Sequence, residues 1–182
     1  MKASQNTDAG VILYKKELGE TPLQALERAR KEHGIKEDVP MTYAGRLDPM
    51  AEGLLILLHG DAVHEKEKYS ALDKVYEFKI LFGFSTDTHD LLGRVDDTAD
   101  GIFNTPLFEE TLKGFLGKQE QVYPAYSSKP VDGKPLFEWA REGRLHEITI
   151  PSHPIEIKEL EPKAIEKISA TKLKETIEER IA

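Results

Sequence analysis

The chain has 182 residues, of which 32% are charged and 39% are hydrophobic, and it contains no cysteine. The lack of cysteine excludes disulfides, thiolate zinc sites and a cysteine nucleophile. No apolar run approaches the roughly 20 residues that cross a bilayer, and the opening segment Met1–Asp8 lacks the apolar stretch of a signal peptide. We therefore expect one soluble domain over residues 1–182, located in the cytoplasm and without a membrane partner.

The net charge of -8 argues against an ordinary nucleic-acid binder, because phosphate contacts come from lysine and arginine. The negative charge is concentrated between Asp87 and Glu110, where seven acidic residues accompany one arginine. The rest of the chain is nearly neutral. Because phosphate affinity follows the local field more than the total charge, the composition still allows a basic face that binds nucleic acid.

The N-terminal third of the chain predicts two strands and a helix. The apolar run Gly10–Tyr14 is typical of a buried strand. Thr21 and Pro22 supply an N-cap and a first-turn proline for a helix over Leu23–Glu32, whose leucines lie three apart on one face. The continuous apolar run Gly53–Leu58 predicts a central strand that is covered on both faces.

The rest of the chain contains segments with the hydrophobic periodicity of helices and segments with that of strands. It predicts helices over Ala62–Leu72, Pro106–Leu116, Leu136–Glu142 and Lys167–Ala182, strands over Lys74–Phe82, Glu147–Ile150 and Pro154–Ile157, and a long loop over Gly117–Pro135. Strands and helices mixed in this order predict an α+β fold.

The strongest chemical signal lies just before the predicted central strand, in the irregular stretch Tyr43–Pro49. Pro49 biases Asp48 toward an extended backbone and Gly45 permits a tight turn, so the chain can present this carboxylate from a rigid base. In an extended segment Arg46 and Asp48 project to the same side, where a guanidinium keeps a potential nucleophile charged. The same spacing is also compatible with a structural Asp-Pro turn that carries a surface ion pair.

Five blocks of sequence carry a family pattern. They are Lys16–Thr21, Gly45–Leu55, Lys74–Tyr76, Gly83–Gly93 and Gln121–Gly133. In order and spacing they resemble the TruB family of RNA pseudouridine synthases, in which the aspartate of Leu-Asp-Pro is catalytic. This resemblance extends over roughly Gly10 to Leu160. It implies the pseudouridine synthase fold, which is a mixed and mostly antiparallel sheet flanked by helices, and it assigns catalysis to Asp48.

By this resemblance the substrate is a uridine in structured RNA, with transfer RNA as the expected class. The reaction detaches uracil from C1′, rotates it and rejoins it through carbon, and it needs no cofactor and no metal. Asp48 attacks either the base or the ribose, and the sequence leaves both routes open. The base must first leave the stack, at a cost that aromatic stacking and polar pocket contacts offset.

The resemblance assigns three residues to the extruded base. Tyr76 matches the aromatic residue that stacks on it, and the alternative is a strand aromatic that faces a core. Tyr43 stands where TruB proteins usually carry a histidine that wedges into the RNA. Arg46 replaces a small or polar residue and matches related synthase families, in which the arginine takes part in base extrusion. These departures leave open whether the target is the usual T-loop of transfer RNA.

Four further residues are candidates for RNA binding. Lys16, Lys74 and Lys129 fit contacts to phosphate or contacts that order a loop, and each also fits a solvated surface lysine. Asp90, like Asp87, is expected to shape its loop or to accept from a base edge. The sequence around these aspartates lacks the glycine and the terminal glutamate of a calcium loop, so no metal site is predicted.

TruB chains continue past the region matched by Pro154–Ile157 into a Gly-Thr-Tyr-Ile-Arg segment, whose arginine pairs with the catalytic aspartate, and then into an RNA-binding domain. Neither is matched here, so we expect a C-terminally incomplete catalytic domain without a separate RNA-binding domain. Three explanations stay open: Arg46 supplies the cation, a separate chain completes the domain, or the protein is a truncated form. Otherwise the chain is a non-catalytic RNA-binding relic or fragment. A hydrolase that uses Asp48 is disfavoured, because no partner acid or metal cluster lies at a recognisable spacing.

Overall fold

The computed structural model describes residues 10–99, 101 and 103–181, which form two compact units. The first unit is the chain up to Glu77 together with the segment from Ile168 onward, and the second is Phe78–Lys167. Both contain helices and antiparallel strands, which confirms the predicted α+β class. Met1–Asp8, and Ala182 at the end of the predicted terminal helix, lie outside the described residues. The single domain over residues 1–182 stays a prediction.

Helices and strands are mixed along the chain. In order they are β1 (Gly10–Lys16), α1 (Pro22–Glu32), β2 (Met41–Ala44), β3 (Gly53–His59), a 3-10 helix (Gly60–Glu65), α2 (Lys66–Ser70), β4 (Phe84–Thr86), β5 (Val95–Thr98), α3 (Thr105–Lys113), β6 (Gly117–Val122), β7 (Pro130–Val131), β8 (Lys134–Pro135), α4 (Leu136–Arg141), a second 3-10 helix (Leu145–Glu147), β9 (Ser152–Ile157) and α5 (Ala170–Ile181). The helices predicted from sequence are confirmed to within a few residues, except that the one expected over Ala62–Leu72 is divided between the first 3-10 helix and α2. Within the described ranges, no helix combines the length and apolar character needed to cross a membrane.

The sheet of the first unit places β3 at its centre, as predicted, because β1 and β2 both pair antiparallel with it on opposite sides. The register of β1 runs from Gly10 opposite His59 to Lys16 opposite Gly53. The core between this sheet and α1 consists of Tyr14, Ala25, Leu26, Ala29, Leu55 and Leu57. The complete burial of one leucine side chain in this core stabilises the fold by about 1.5–3 kcal/mol.

The second face of the sheet is covered around Leu58, which packs against Ala44 and Ala62. Leu54 on the same strand is 66% exposed. The prediction that β3 is covered on both faces is therefore wrong at Leu54. The reason is local, since Ala62 belongs to the 3-10 helix that directly follows β3 and therefore lies over the C-terminal half of the strand.

Helix α1 begins at a complete N-cap. The Thr21 hydroxyl accepts a hydrogen bond from the Gln24 amide at 3.2 Å, and the Gln24 side chain accepts one from the Thr21 amide at 2.7 Å. This capping box, followed by Pro22 in the first turn, stabilises a helix by about 1 kcal/mol. The predicted apolar face is wrong in part: Leu26 is buried but Leu23 is 58% exposed, because small alanines fill the rest of the contact with the sheet.

The strand predicted over Lys74–Phe82 is absent, since residues 73–81 have no regular secondary structure. Val75 is 100% exposed and Tyr76 is 64% exposed. The alternating pattern of this segment suits a half-buried strand, but a strand forms only where a neighbouring strand shares its backbone hydrogen bonds. None of the described strands pairs with it. An apolar pattern without a pairing partner therefore gives an exposed, irregular segment.

The second unit contains, among its described residues, the antiparallel pairs β4–β5, β6–β9 and β7–β8. The loop predicted over Gly117–Pro135 is therefore wrong, because it contains β6, β7 and β8. The polar sequence of β6 carries no strand signal of its own, and its pairing with β9 determines its conformation. The strand predicted over Glu147–Ile150 is also wrong, since the second 3-10 helix ends at Glu147 and no strand follows before β9. β9 confirms the strand predicted over Pro154–Ile157.

Candidate active site around Asp48

Asp48 lies in the exposed connection between β2 and β3, two antiparallel neighbours that anchor both ends of this loop. Gly45 starts the loop with a φ of 89°, a left-handed conformation that glycine adopts without steric penalty. Arg46 and Asp48 are exposed, whereas Leu47 between them is half-buried. The loop therefore follows the predicted alternation and presents the carboxylate to solvent.

Four successive carbonyl groups of this loop accept hydrogen bonds. The bonds run from the Ala51 amide to Asp48 (2.9 Å), from the Gly19 amide to Pro49 (2.8 Å), from the Arg180 guanidinium to Met50 (3.2 Å) and from the Lys16 ammonium to Ala51 (2.6 Å). Two segments that are distant in sequence from the loop thus hold the backbone on which Asp48 sits. They are the end of β1 with the turn that follows it, and α5.

Lys16 is the buried charge of this site, with a relative exposure of 0%. Its ammonium donates to the carbonyl oxygens of Ala51 at 2.6 Å, Glu17 at 3.0 Å and Pro49 at 3.5 Å. An ammonium group has three donor hydrogens, so these contacts occupy all of them. The contacts support the loop-ordering role that the sequence left open. A contact to RNA phosphate requires the side chain to leave these carbonyls.

Burial also changes the titration of Lys16. Loss of solvation lowers the pKa of its ammonium, while the negative charges of Glu20, Asp48 and Glu52 act in the opposite direction. By Coulomb's law the same attraction acts on the Asp48 carboxylate. Lys16 therefore both supports the loop backbone and attracts the Asp48 carboxylate.

Tyr43 belongs to β2, so the irregular stretch predicted over Tyr43–Pro49 begins later than expected, after Ala44. Tyr43 pairs with Leu57 and packs, half-buried, against the core beneath α1. The ammonium of Lys66 lies 5.7 Å from the centroid of its ring. Part of the Tyr43 ring is therefore used in core packing. Its stacking against RNA stays a prediction.

Lys74 and Tyr76 lie in the irregular segment that follows α2. The Lys74 ammonium donates to the carbonyls of Ser70 and Leu72, both at 2.7 Å, and so neutralises the negative end of α2. Tyr76 is largely exposed, which makes its ring accessible to a base. The alternative reading of Tyr76 as a core-facing strand aromatic is wrong, because the strand is absent and the ring is not buried.

Asp90 lies in the second unit, in the loop that joins β4 to β5. Its carboxylate accepts from the Thr88 hydroxyl at 2.7 Å and from the Leu92 amide at 2.9 Å. Asp87 in the same loop accepts from the Arg94 amide at 2.9 Å. Both aspartates thus hold the loop in shape. Across the described ranges, no three histidine, aspartate or glutamate side chains gather into a group that could hold a metal ion.

Lys129 also lies in the second unit, just before β7, and its side chain is exposed. Its ammonium lies 5.2 Å from the centroid of the Tyr123 ring, within the range of a cation–π contact. The Tyr123 ring in turn packs on His153, with 4.6 Å between the ring centroids. Lys129 is therefore accessible for the predicted contact to phosphate, which stays a prediction.

Arg180 is the residue of this site that sequence reasoning missed. It lies on α5 and reaches the carbonyl of Met50, 130 residues earlier in the chain. The sequence of the terminal segment predicts a charged helix, but no spacing or motif in it indicates a contact with the Leu-Asp-Pro loop. The helix itself was predicted, but the contact depends on how α5 packs within the first unit.

Comparison with known proteins agrees with this architecture. Residues 33–179 match the family model described as TruB family pseudouridylate synthase, N terminal domain. Among similar proteins, tRNA pseudouridine synthase B of Caldanaerobacter subterraneus is 37% identical over 153 residues, which is 84% of this chain and 52% of that protein. The protein of the same name from Aquifex aeolicus is 33% identical over 139 residues, 76% of this chain and 47% of that protein. Its counterpart from Psychrobacter cryohalolentis is 37% identical over 164 residues, 87% of this chain and 44% of that protein.

The mixed α+β architecture with antiparallel sheets is that of the N-terminal domain of a pseudouridylate synthase. The chain belongs to the TruB family, as the sequence blocks predicted. It spans about half the length of the curated relatives that it matches.

Proposed function

We propose that this protein converts a uridine of transfer RNA to pseudouridine, with Asp48 as the nucleophile. The observation that carries the proposal is an exposed carboxylate on a backbone that Lys16, Gly19 and Arg180 hold in place. A nucleophile must be accessible to its substrate and must keep its orientation. The exposed side chain and the hydrogen-bonded backbone of Asp48 support this role. The name shared by the relatives, tRNA pseudouridine synthase B, supports transfer RNA as the substrate.

The proposed reaction is an isomerisation whose atoms and electrons balance. The bond between C1′ and N1 of the uridine breaks, a bond between C1′ and C5 forms, the C5 proton leaves to solvent, and N1 gains a proton. The Asp48 carboxylate attacks either the ribose carbon or the base to start this exchange. The bond that it forms breaks again before the product leaves, which regenerates the carboxylate. Lys16 takes no covalent part, since its buried ammonium acts on the charge and position of the loop.

The extruded uracil needs an aromatic surface, and Tyr76 is the proposed one because most of its side chain is exposed. Stacking of a base on an aromatic side chain is worth about 1–3 kcal/mol, which offsets a large part of the extrusion cost. Arg46, which lies on the Asp48 loop, and Tyr43, which precedes that loop, are proposed to occupy the position that the base leaves.

Three further residues are proposed to act on the RNA outside the reacting base. Lys74 and Lys129 are exposed and are proposed to bind phosphates, for which Lys74 exchanges its present carbonyl contacts. Asp90 is proposed to hold the β4–β5 loop in the shape that the RNA meets. A transfer RNA substrate is also consistent with the cytoplasmic location expected from the sequence.

The test is the release of tritium from transfer RNA labelled at C5 of uridine, with Asp48→Asn as the matched variant. Asparagine keeps the size of the side chain but cannot attack as a carboxylate, so we expect release by the unchanged protein alone and equal RNA binding by both. Release by Asp48→Asn at an undiminished rate contradicts the role of Asp48. Bound RNA without release by the unchanged protein favours the non-catalytic RNA binder, unless a completing chain added in trans restores release.

A further inference from the structure

The terminal helix α5 contacts the loop that carries Asp48. Arg180 donates through Nη2 to the carbonyl oxygen of Met50 at 3.2 Å. Met50 lies two residues after Asp48, inside the turn that the hydrogen bond from the Ala51 amide to the Asp48 carbonyl closes. Arg180 therefore holds a peptide group in the turn that begins at the proposed nucleophile.

The position of Arg180 on α5 follows from the burial pattern of the helix. Leu173, Thr176 and Ile177 are half-buried, and Arg180, which is itself exposed, follows this row at the spacing of one helical face. Lys172 and Lys174 are exposed beside that row. The half-buried row thus brings Arg180, rather than the other cations of α5, to the loop.

A guanidinium suits this position for two reasons. It stays charged over the whole working range of pH, and it carries five donor hydrogens in one rigid plane. The hydrogen bond to Met50 uses one donor and orients the plane. A charged donor also makes a stronger bond to a carbonyl than a neutral donor does. Arg180 can therefore hold the Met50 peptide through one strong, directional hydrogen bond.

We propose that Arg180 is a positioning residue for Asp48, through which α5 sets the geometry of the loop that carries the carboxylate. This inference rests on the proposed function, because positioning matters only if Asp48 reacts. Lys16 and Arg180 then hold the turn through neighbouring carbonyls, those of Ala51 and Met50, from two different parts of the chain.

The test uses Arg180→Gln, Arg180→Lys and, as a control, Lys174→Gln. Lys174 has a side chain that is 75% exposed on the same helix, so its variant removes the same charge without touching the loop. We expect Arg180→Gln to lower kcat for tritium release about tenfold, or about 1.4 kcal/mol, with KM within about twofold. Arg180→Lys should recover most of kcat because an ammonium can also donate to Met50, and Lys174→Gln should match the unchanged protein.

A second readout separates this inference from the proposed function. Hydrogen exchange of the Ala51 amide, which donates to the Asp48 carbonyl, reports the order of the turn whether or not the protein is active. We expect faster exchange in Arg180→Gln and no change in Lys174→Gln. If exchange and kcat in Arg180→Gln both equal those of the unchanged protein, the positioning role is overturned. If exchange rises but no form of the protein releases tritium, the proposed function fails and the contact of α5 with the loop stands.

Partial unfolding of α5 could also lower kcat in Arg180→Gln, and the Tm of each variant tests this explanation. If Arg180→Lys is no better than Arg180→Gln and both lower Tm, the positioning role is also overturned in favour of a general role in stability. An unchanged Tm together with recovery in Arg180→Lys is the result that supports positioning.

Discussion

The ammonium nitrogen of Lys16 lies 2.6 Å from the carbonyl oxygen of Ala51 and 3.5 Å from that of Pro49, so a fully buried cation closes the loop that presents Asp48. Removing an ammonium from water is costly, and its burial lowers its pKa. Hydrogen bonds to carbonyls and the attraction of nearby carboxylates offset that cost. A site that keeps a buried charge in this way depends on that charge for its shape.

Lys16→Met is therefore expected to destabilise the protein and to impair the loop. Methionine fills a similar volume but leaves the Ala51 and Glu17 carbonyls without their donor, and an unsatisfied polar group costs about 1–3 kcal/mol. Urea unfolding should show a loss of this size, and tritium release should fall while RNA binding changes little.

Lys15→Met is the matched control for that substitution. Lys15 is the neighbouring lysine, but its side chain is 62% exposed and pairs with Glu17 at 2.9 Å on the surface. Exposed ion pairs contribute little, so its loss should change the free energy of unfolding by less than about 1 kcal/mol. Equal effects of the two substitutions contradict the special role of Lys16.

Gly45→Ala tests the backbone at the start of the loop. A Cβ atom added to Gly45 meets nothing within 4 Å, so any cost comes from its φ of 89° and not from crowding. A left-handed conformation costs an L-residue about 1–2 kcal/mol, and we expect a loss of that size in urea unfolding together with slower tritium release. Gly101→Ala is the control, because Gly101 also has open space around a Cβ but no left-handed φ. An equal loss in both variants, or none in Gly45→Ala, contradicts this account.

The elements that sequence reasoning predicted well carry local signals. Helix α1 begins where Thr21 and Pro22 place its N-cap, and the apolar run of β3 marks the central strand. The exposed position of Asp48 also follows from local chemistry, since glycine and proline flank it and a strand lies on either side. Such signals act over a few residues, so a single sequence reveals them.

The parts that the sequence did not predict depend on contacts between distant residues. The sequence left open whether Lys16 binds phosphate, orders a loop or is a surface lysine. Its hydrogen bonds to the carbonyls of Pro49 and Ala51, 33 and 35 residues away, distinguish these roles. In the sequence, Arg180 is one of several charges in a charged helix, and only the structure shows its hydrogen bond to the Met50 carbonyl. The failed strand over Lys74–Phe82 has the same origin, because its pattern is correct and what is lacking among the described strands is a partner.

Tyr14 provides a test of the first unit that is independent of RNA chemistry. Its ring is buried in the core beneath α1, with a relative exposure of 8%. Its hydroxyl donates to Glu32 at 2.7 Å and accepts from Arg28 at 2.6 Å. Burial and the hydrogen bond to Glu32 raise the pKa of this tyrosine from 10.0 to about 12, while the charge of Arg28 acts in the opposite direction.

The raised pKa of Tyr14 predicts a specific loss of stability in alkali. Below pH 10.0 the hydroxyl is protonated in both states; between pH 10.0 and about 12 the folded state keeps a proton that the unfolded state has lost. Stability therefore falls as pH rises through this window, by linkage. We expect the unfolding free energy of the unchanged protein minus that of Tyr14→Phe to be constant below this window and to shrink within it. Urea unfolding of both proteins at each pH measures this difference and cancels the titration of groups common to both, including Lys16. Phenylalanine has no proton to lose, so the pH dependence of this difference in unfolding free energy reports the titration of Tyr14. A difference that stays constant up to about pH 12 contradicts the raised pKa.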